Sequence, residues 1–336
     1  MSAGLQAADR PLADLFDLAL VDLDGVAYRG HERVPWAAES LVEARTHGMR
    51  TLFVTNNASR SPEVVAQQLS GLGIPTGAHE VMTAAQAAAQ LLTTRLPRGA
   101  KVLVVGADAL RDAVRAEGYE VVGSADERPD AVAQGFSPDV AWPQLAEAAY
   151  AVADGAWYVA SNRDLSLPTA RGFAPGNGSL VLAVTSATGV EPDSAGKPEP
   201  TMYQLAIARA GGRRTLVVGD RLDTDLAGAR AGGLPGLHVL TGVSTARDDV
   251  LAAPGQRPDF IGADLRALLQ PHTAPRLTDG WWVCGQSAAR ATDGRLELRA
   301  AGDPVDLVRA ACSAAWTATD EGQPVDPASV PELPTA

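Results

Sequence analysis

Short runs of four to six apolar residues punctuate the chain, each ending in small, hydroxylated or acidic residues: Phe16 to Val21, Thr51 to Val54, Val102 to Val105 and Thr215 to Val218. Runs this short with no polar alternation predict strands buried on both faces. Between them, Pro62 to Leu72, Ala84 to Leu92, Ala109 to Glu117, Glu199 to Ala210 and Asp225 to Ala231 place apolar residues at helical spacing, and Gly232-Gly233 supplies a stop for the last. Strands alternating with helices predict a parallel α/β sheet, doubly wound in the Rossmann manner. Ligands of such sheets sit outside the carboxyl ends of the strands, so chemistry is expected just after each apolar run. Beyond Leu269 the character changes. QPHTAPRLTDG reads as a linker, Trp281 to Cys284 and Leu296 to Arg299 as two strands, and Val305 to Ala318 as a helix, which makes a small α+β extension.

Composition narrows this picture more than it redraws it. The 336 residues are 46% hydrophobic, carry a formal charge of −12 and include two cysteines that form no CxxC. That describes a folded acidic protein without a disulfide framework or a zinc cluster. The N-terminal segment lacks a basic start and an apolar core, and no apolar run reaches the ~18 residues of a membrane span. The expectations are a cytoplasmic protein, no membrane insertion and no nucleic-acid partner, since nucleic-acid binding needs an excess of Lys and Arg. The acidic balance at first argues against any anionic substrate too.

Four strand ends carry candidate chemistry. The first is Asp22-Leu23-Asp24-Gly25, where an extended backbone sends both carboxylates to one side; an acidic turn bent at Gly25 is the ordinary alternative. The second is Thr55-Asn56-Asn57-Ala58-Ser59-Arg60-Ser61-Pro62, where Ser61 and Pro62 fit an N-cap and first helical residue, either an anion site or a common polar loop. The third, Gly196-Lys197-Pro198, sets a lysine at an element boundary, although a solvated lysine would look the same. The fourth, Gly219-Asp220-Arg221-Leu222-Asp223-Thr224-Asp225, runs from a strand into three acids and a helix that Asp225 could simply cap.

Taken in order, DxD, Thr, Lys and GDxxxTD resemble the haloacid dehalogenase superfamily of phosphotransferases over roughly Asp17 to Leu240. Only 32 residues lie between Asp22 and Thr55, against 141 between Thr55 and Lys197, so an inserted domain is expected in the second interval. That arrangement is similar to the class with an α/β cap that includes UMP, phosphoglycolate and pyridoxal phosphate phosphatases and nitrophenylphosphatases. LFVTNNASRS, LPTARGFAPGNGS, AGKP, LVVGDRLDTD and GLPGLHVLTGV, with a tail of similar size, most resemble the actinobacterial glycerol 3-phosphate phosphatases. The expected division is a catalytic core of residues 12–78 and 179–270, a cap of 79–178 that selects substrate, and an extension of 271–336. The extension resembles a fragment of an acetyltransferase-like fold too short for acetyl transfer. It is expected to dock on the core or to mediate dimer contacts, a homodimer through the cap or the tail being the expected assembly.

The resemblance implies roles. Asp22 would be the nucleophile and Asp24 the general acid and base. Mg²⁺ would be held by Asp22, the Asp24 carbonyl and Asp220, with Asp225 beside them. Thr55, Asn56, Asn57 and Lys197 would bind the phosphoryl group. Asn162 and Asp164, in the cap loop Ser161-Asn162-Arg163-Asp164, could meet substrate hydroxyls, whereas Asp223 is expected to face solvent and Asn177 to serve a turn. The implied reaction is hydrolysis of a small phosphorylated metabolite, glycerol 3-phosphate first. A nucleotide monophosphate, phosphoglycolate or pyridoxal phosphate remain alternatives, as does a non-catalytic interaction protein retaining the fold. The charge objection weakens on inspection: the first 270 residues carry −8, and beyond a Debye length of ~8 Å surface acids scarcely reach a bound phosphate.

Overall fold

A computed structural model describes residues 4–169 and 171–335. By contacts the chain forms two units: Met1–Phe53, Leu69–Pro75 and Ala210–Ala336 make the first, Val54–Gln68 and Thr76–Arg209 the second.

The first unit is built on parallel strands in the order Phe260–Gly262, Gly236–Val239, Thr215–Gly219, Leu18–Val21 and Arg50–Thr55, the last of which runs on past Phe53 into the second unit. Leu18–Val21 lies in the middle, paired in register with Thr215–Val218 on one side and Arg50–Phe53 on the other. All four of its residues are buried, as the unbroken apolar run demands. Because the chain leaves this strand toward one edge and later builds outward to the other, its carboxyl end is the point where the winding reverses. In sheets of this kind a ligand crevice lies outside the carboxyl ends of the strands at such a point. Asp22 and Asp220 each follow directly on a strand that meets this point.

The extension belongs to the first unit. The two strands read from its sequence are there, joined by two that were not expected: Arg276–Thr278, Trp281–Cys284, Ser287–Thr292 and Arg295–Arg299 form a four-stranded antiparallel sheet in chain order. Arg276–Thr278 is an exposed edge within the stretch that reads as linker, and Ser287–Thr292 is SAARAT, small residues with almost no β-branched content to signal a strand. The helix Pro304–Asp320 packs its Val305, Val308, Cys312 and Trp316 into one buried cluster with Leu226, Val250 and Ile261 of the core. Polar contacts fix the docking. Arg309 Nη2 donates to the Ile261 carbonyl at 2.7 Å, Trp316 Nε1 to the Asp249 carbonyl at 2.9 Å, and the buried Arg257 grips both oxygens of Asp320 at 2.8 and 2.9 Å. The Trp281 ring is packed by the guanidinium groups of Arg290 and Arg299, 4.5 and 3.7 Å from its centroid, which accounts for it as packing.

The second unit has its own parallel sheet, ordered Asp193–Ser194, Trp157–Ala160, Ala131–Gln134, Lys101–Val105 and Glu120–Val122, with the helices Asp108–Ala116, Trp142–Ala153 and Asn177–Thr188. Leu103, Val105, Val132, Tyr158, Val152 and Val181 form its core. An antiparallel hairpin, Ser166–Thr169 with Gly172–Pro175, leads into the last of these helices. Asn177 does not serve a turn. It opens that helix, is buried, and its amide donates to the Asn162 carbonyl at 2.7 Å.

Candidate active site

In the first unit, three carboxylates converge. Asp22, Asp220 and Asp225 each present one oxygen within 4.8 Å of the others, and they are 9%, 0% and 1% exposed. Asp22 is held where the strand ends, its N–H donating to the Val218 carbonyl at 2.9 Å. Asp225 is brought back by a wide helical turn over Leu222–Leu226, in which Leu226 N–H reaches five residues back to the Arg221 carbonyl at 3.2 Å. An α-helical start at Asp225, the reading from sequence, begins instead at Ala227.

Glycines make this crowding possible. Gly25 sits at φ +82, and a Cβ there or at Gly242 would overlap the Asp220 carboxylate; one at Gly219 would overlap Asp225. The segment Thr241–Ser244 wraps around Asp220: Val243 N–H donates to its Oδ2 at 2.7 Å and Ser244 N–H to its carbonyl at 3.0 Å. The Thr241 hydroxyl reaches the Gly25 carbonyl at 2.6 Å, tying this loop to the DxD turn. This loop has no role in the motif pattern, yet its signal is present in GLPGLHVLTGV, since Thr241-Gly242 follows closely on the strand Gly236–Val239 as the other motifs follow theirs.

Carboxylates this close repel by on the order of 3 kcal/mol per pair at an effective dielectric near 20. An all-oxygen donor set of buried acids suits a hard divalent cation, which needs few carboxylates and completes its shell with water. The residues therefore fit a Mg²⁺ site. Asp24 is exposed and its carboxylate is not among the three. Asp223 stands apart on the surface, where burial raises its carboxyl pKa but the Arg221 guanidinium, at 2.7 and 3.0 Å, brings the net below the usual range.

The second unit holds the other candidates. Thr55 is buried at the strand end and its hydroxyl accepts from Asn57 N–H at 3.1 Å. Asn57 in turn accepts from the N–H and hydroxyl of Ser59, both at 2.8 Å, so its side chain braces the loop. Asn56 is a hub. Its Oδ1 accepts from Lys197 N–H at 2.9 Å, and its Nδ2 donates to the Lys197 carbonyl at 3.0 Å and to Asp164 Oδ2 at 3.1 Å. The Asn56 carbonyl accepts from Asn162 Nδ2 at 2.7 Å. Gly196 permits this, because a Cβ there would lie 2.5 Å from the Ser161 carbonyl oxygen and 2.7 Å from Asn56 Oδ1. Lys197 is 3% exposed, with Nζ 3.5 Å from the Val54 carbonyl, and so is no surface lysine. Asn162 is buried and Asp164 half-buried, its N–H donating to Asn162 Oδ1 at 3.1 Å.

A haloacid dehalogenase-like hydrolase family model matches residues 19–120, a second HAD-hydrolase-like model matches 194–268, and a GCN5-related N-acetyltransferase-like model matches 284–331. A D-glycerol 3-phosphate phosphatase from Mycobacterium tuberculosis is 46% identical over 92% of this chain and 88% of its own. An acid sugar phosphatase from Staphylococcus saprophyticus is 37% identical over 75% of this chain and 96% of its own. Among solved structures, the M. tuberculosis glycerol phosphate phosphatase in complex with magnesium superposes with a TM-score of 0.84 at 46% identity, covering 92% of each chain. The chain belongs to the haloacid dehalogenase-like hydrolases.

Proposed function

We propose that this chain is a Mg²⁺-dependent phosphoric monoester hydrolase whose substrate is glycerol 3-phosphate, cleaved to glycerol and inorganic phosphate. The observation that carries the reading is the trio Asp22, Asp220 and Asp225, buried and within 4.8 Å of one another, two following strand ends and the third brought back by a helical turn. The choice of substrate rests on the 46% identity to the mycobacterial enzyme, which extends through the C-terminal extension rather than stopping at the core.

Asp22 attacks phosphorus, the ester P–O bond breaks, and an aspartyl phosphate forms on its carboxylate. Asp24, exposed one residue beyond Leu23, gives its proton to the departing alkoxide. In the second half Asp24 takes a proton from the water that displaces Asp22, and phosphate leaves with Asp22 again a carboxylate and Asp24 again protonated. Asp22, the Asp24 carbonyl, Asp220 and Asp225 would hold the cation, which would neutralise charge on the phosphoryl oxygens and on the acids themselves. The Thr55 hydroxyl, the main chain at Asn56 and Asn57 and the Lys197 ammonium stabilise the equatorial oxygens as charge develops. The Asn56 and Asn57 side chains serve this indirectly, one fastening the Lys197 main chain and the other bracing the loop.

Residues 79–178 act as the cap that selects substrate, with residues 12–78 and 179–270 as the catalytic core and 271–336 as an extension. Asp164 receives a glycerol hydroxyl, a role its partial exposure supports, and Asn162 steadies its main chain by accepting from Asp164 N–H at 3.1 Å. The protein works in the cytoplasm, consistent with its free Cys284 and Cys312. It pairs as a homodimer through the cap, whose hairpin carries Phe173 at 80% exposed, with Leu165 just before it at 60%. The apolar face of the tail helix is already spent on the core, which disfavours the tail as the contact.

A panel of glycerol 3-phosphate, a nucleoside monophosphate, phosphoglycolate and pyridoxal phosphate tests the reading by kcat/KM. Glycerol 3-phosphate should lead. Another ester ahead of it would overturn the substrate while keeping the chemistry, and release from none would point to the non-catalytic alternative.

A further inference from the structure

Behind the acidic trio lies a polar chain that the proposed reaction does not use. His238 is paired in register with Gly219 across parallel strands, which sets it beside the residue preceding Asp220. It is 0% exposed, and its Nε2 lies 3.2 Å from the Asp220 carbonyl oxygen. A carbonyl can only accept, so Nε2 carries the hydrogen and donates. The other ring nitrogen, Nδ1, is 2.8 Å from Asp249 Oδ2, which fixes the ring's orientation. Asp249 is also 0% exposed, and its own carbonyl accepts from Trp316 Nε1 at 2.9 Å, from the helix of the extension.

Three features argue that this chain is more than filler. A buried histidine and carboxylate are costly where Leu and Val would pack as well, and the surrounding strands are otherwise apolar. Asp249 Oδ1 is buried with no hydrogen-bond partner among the described residues, a cost accepted while Oδ2 stays on His238. The chain also terminates on the main-chain carbonyl of a metal-ligand candidate, which accepts from Ser244 N–H at 3.0 Å as well, while Val243 N–H holds the carboxylate at 2.7 Å. Main chain and side chain of Asp220 are thus both fastened.

We propose that His238 is a positioning residue for the cation site: with Asp249 and Trp316 behind it, it holds the Asp220 main chain so that the carboxylate keeps its place beside Asp22 and Asp225. The proposal rests on the metal-site reading above. It also gives the extension a defined task, since the outermost member of the chain is Trp316. Partners that orient a metal ligand in this way typically change metal affinity 10- to 100-fold when removed.

The test is calorimetric titration of Mg²⁺ into the full chain, as wild type and as His238→Leu, His238→Gln and Trp316→Phe, with melting temperature measured in EDTA and KM and kcat at saturating Mg²⁺. His238→Leu should raise the Mg²⁺ dissociation constant about 10- to 100-fold, and His238→Gln, whose amide can still donate to the Asp220 carbonyl, should regain most of it. Trp316→Phe, one link further out, should raise it about threefold, a smaller share of the same effect. KM for the ester should stay unchanged throughout once Mg²⁺ is saturating. A lower melting temperature in EDTA with Mg²⁺ bound as tightly as in wild type would make the chain merely structural and overturn the proposal. Should His238→Leu fail to fold, Trp316→Phe decides: a raised dissociation constant supports the proposal, an unchanged one overturns it. Failure of the wild type itself to bind Mg²⁺ would instead refute the metal-site reading.

Discussion

The two units present their candidate chemistry by opposite means. In the first, carboxylates are crowded together by the absence of side chains at Gly25, Gly219 and Gly242, and like charges face one another across a few ångströms. In the second, Lys197 is fastened by amides: the Asn56 side chain bonds both its N–H and its carbonyl, and Asn162 fastens Asn56 in turn. One arrangement stores repulsion that a cation relieves; the other is satisfied by its own hydrogen bonds. The difference predicts that the first unit responds to metal and that the second responds to loss of a single amide.

The largest effect should come from Asp22→Asn, which keeps shape and removes the nucleophile: kcat should fall at least about 10³-fold, read as phosphate release, with the fold intact by circular dichroism. Gly242→Ala comes next. Its methyl would overlap the Asp220 carboxylate, so Mg²⁺ affinity should drop about tenfold or more, with a stability loss of about 1–3 kcal/mol from overpacking. Unchanged Mg²⁺ affinity there would break the claim that glycines set the acidic trio. Asn56→Ala should act on the other unit, leaving Mg²⁺ binding alone while raising KM for the ester, at a cost of about 1–3 kcal/mol for the unsatisfied Lys197 main chain. A variant that instead lost Mg²⁺ binding would erase the contrast between the units.

The last effect lies away from the site and leaves turnover at neutral pH untouched: it concerns stability in acid. His272, in the first unit, is 4% exposed; burial holds its pKa down at about 4, even though its Nε2–H donates to the Ala267 carbonyl at 2.8 Å. The unfolded chain therefore binds a proton below about 6.5 that the folded chain refuses until about 4. Stability from this group is complete above pH 6.5 and lost as pH falls toward 4, by up to about 3 kcal/mol. Denaturant titrations across that range should show the slope in wild type and a shallower one in His272→Gln.

Much of this was legible in the chain because strand ends advertise themselves. Unbroken apolar runs placed Asp22, Thr55 and Asp220 correctly, since a strand buried on both faces leaves no other pattern. Lys197 was found by its boundary position, though its burial was not visible in sequence. What sequence concealed were contacts between residues far apart. The two hydrogen bonds from the Asn56 side chain to the Lys197 main chain span 141 positions, and nothing local in the sequence announces them. His238 sits in an apolar strand like any core residue, and only the fold brings Asp220, Asp249 and Trp316 to it. In the extension, SAARAT gave no strand signal because its pairing is decided by neighbours on both sides.

The most direct measurement is phosphate release from glycerol 3-phosphate by the full chain, stripped with EDTA and then resupplied with Mg²⁺. Release should cease on chelation and return with the metal, as a site of three crowded aspartates requires; release that continues undiminished in EDTA would contradict it.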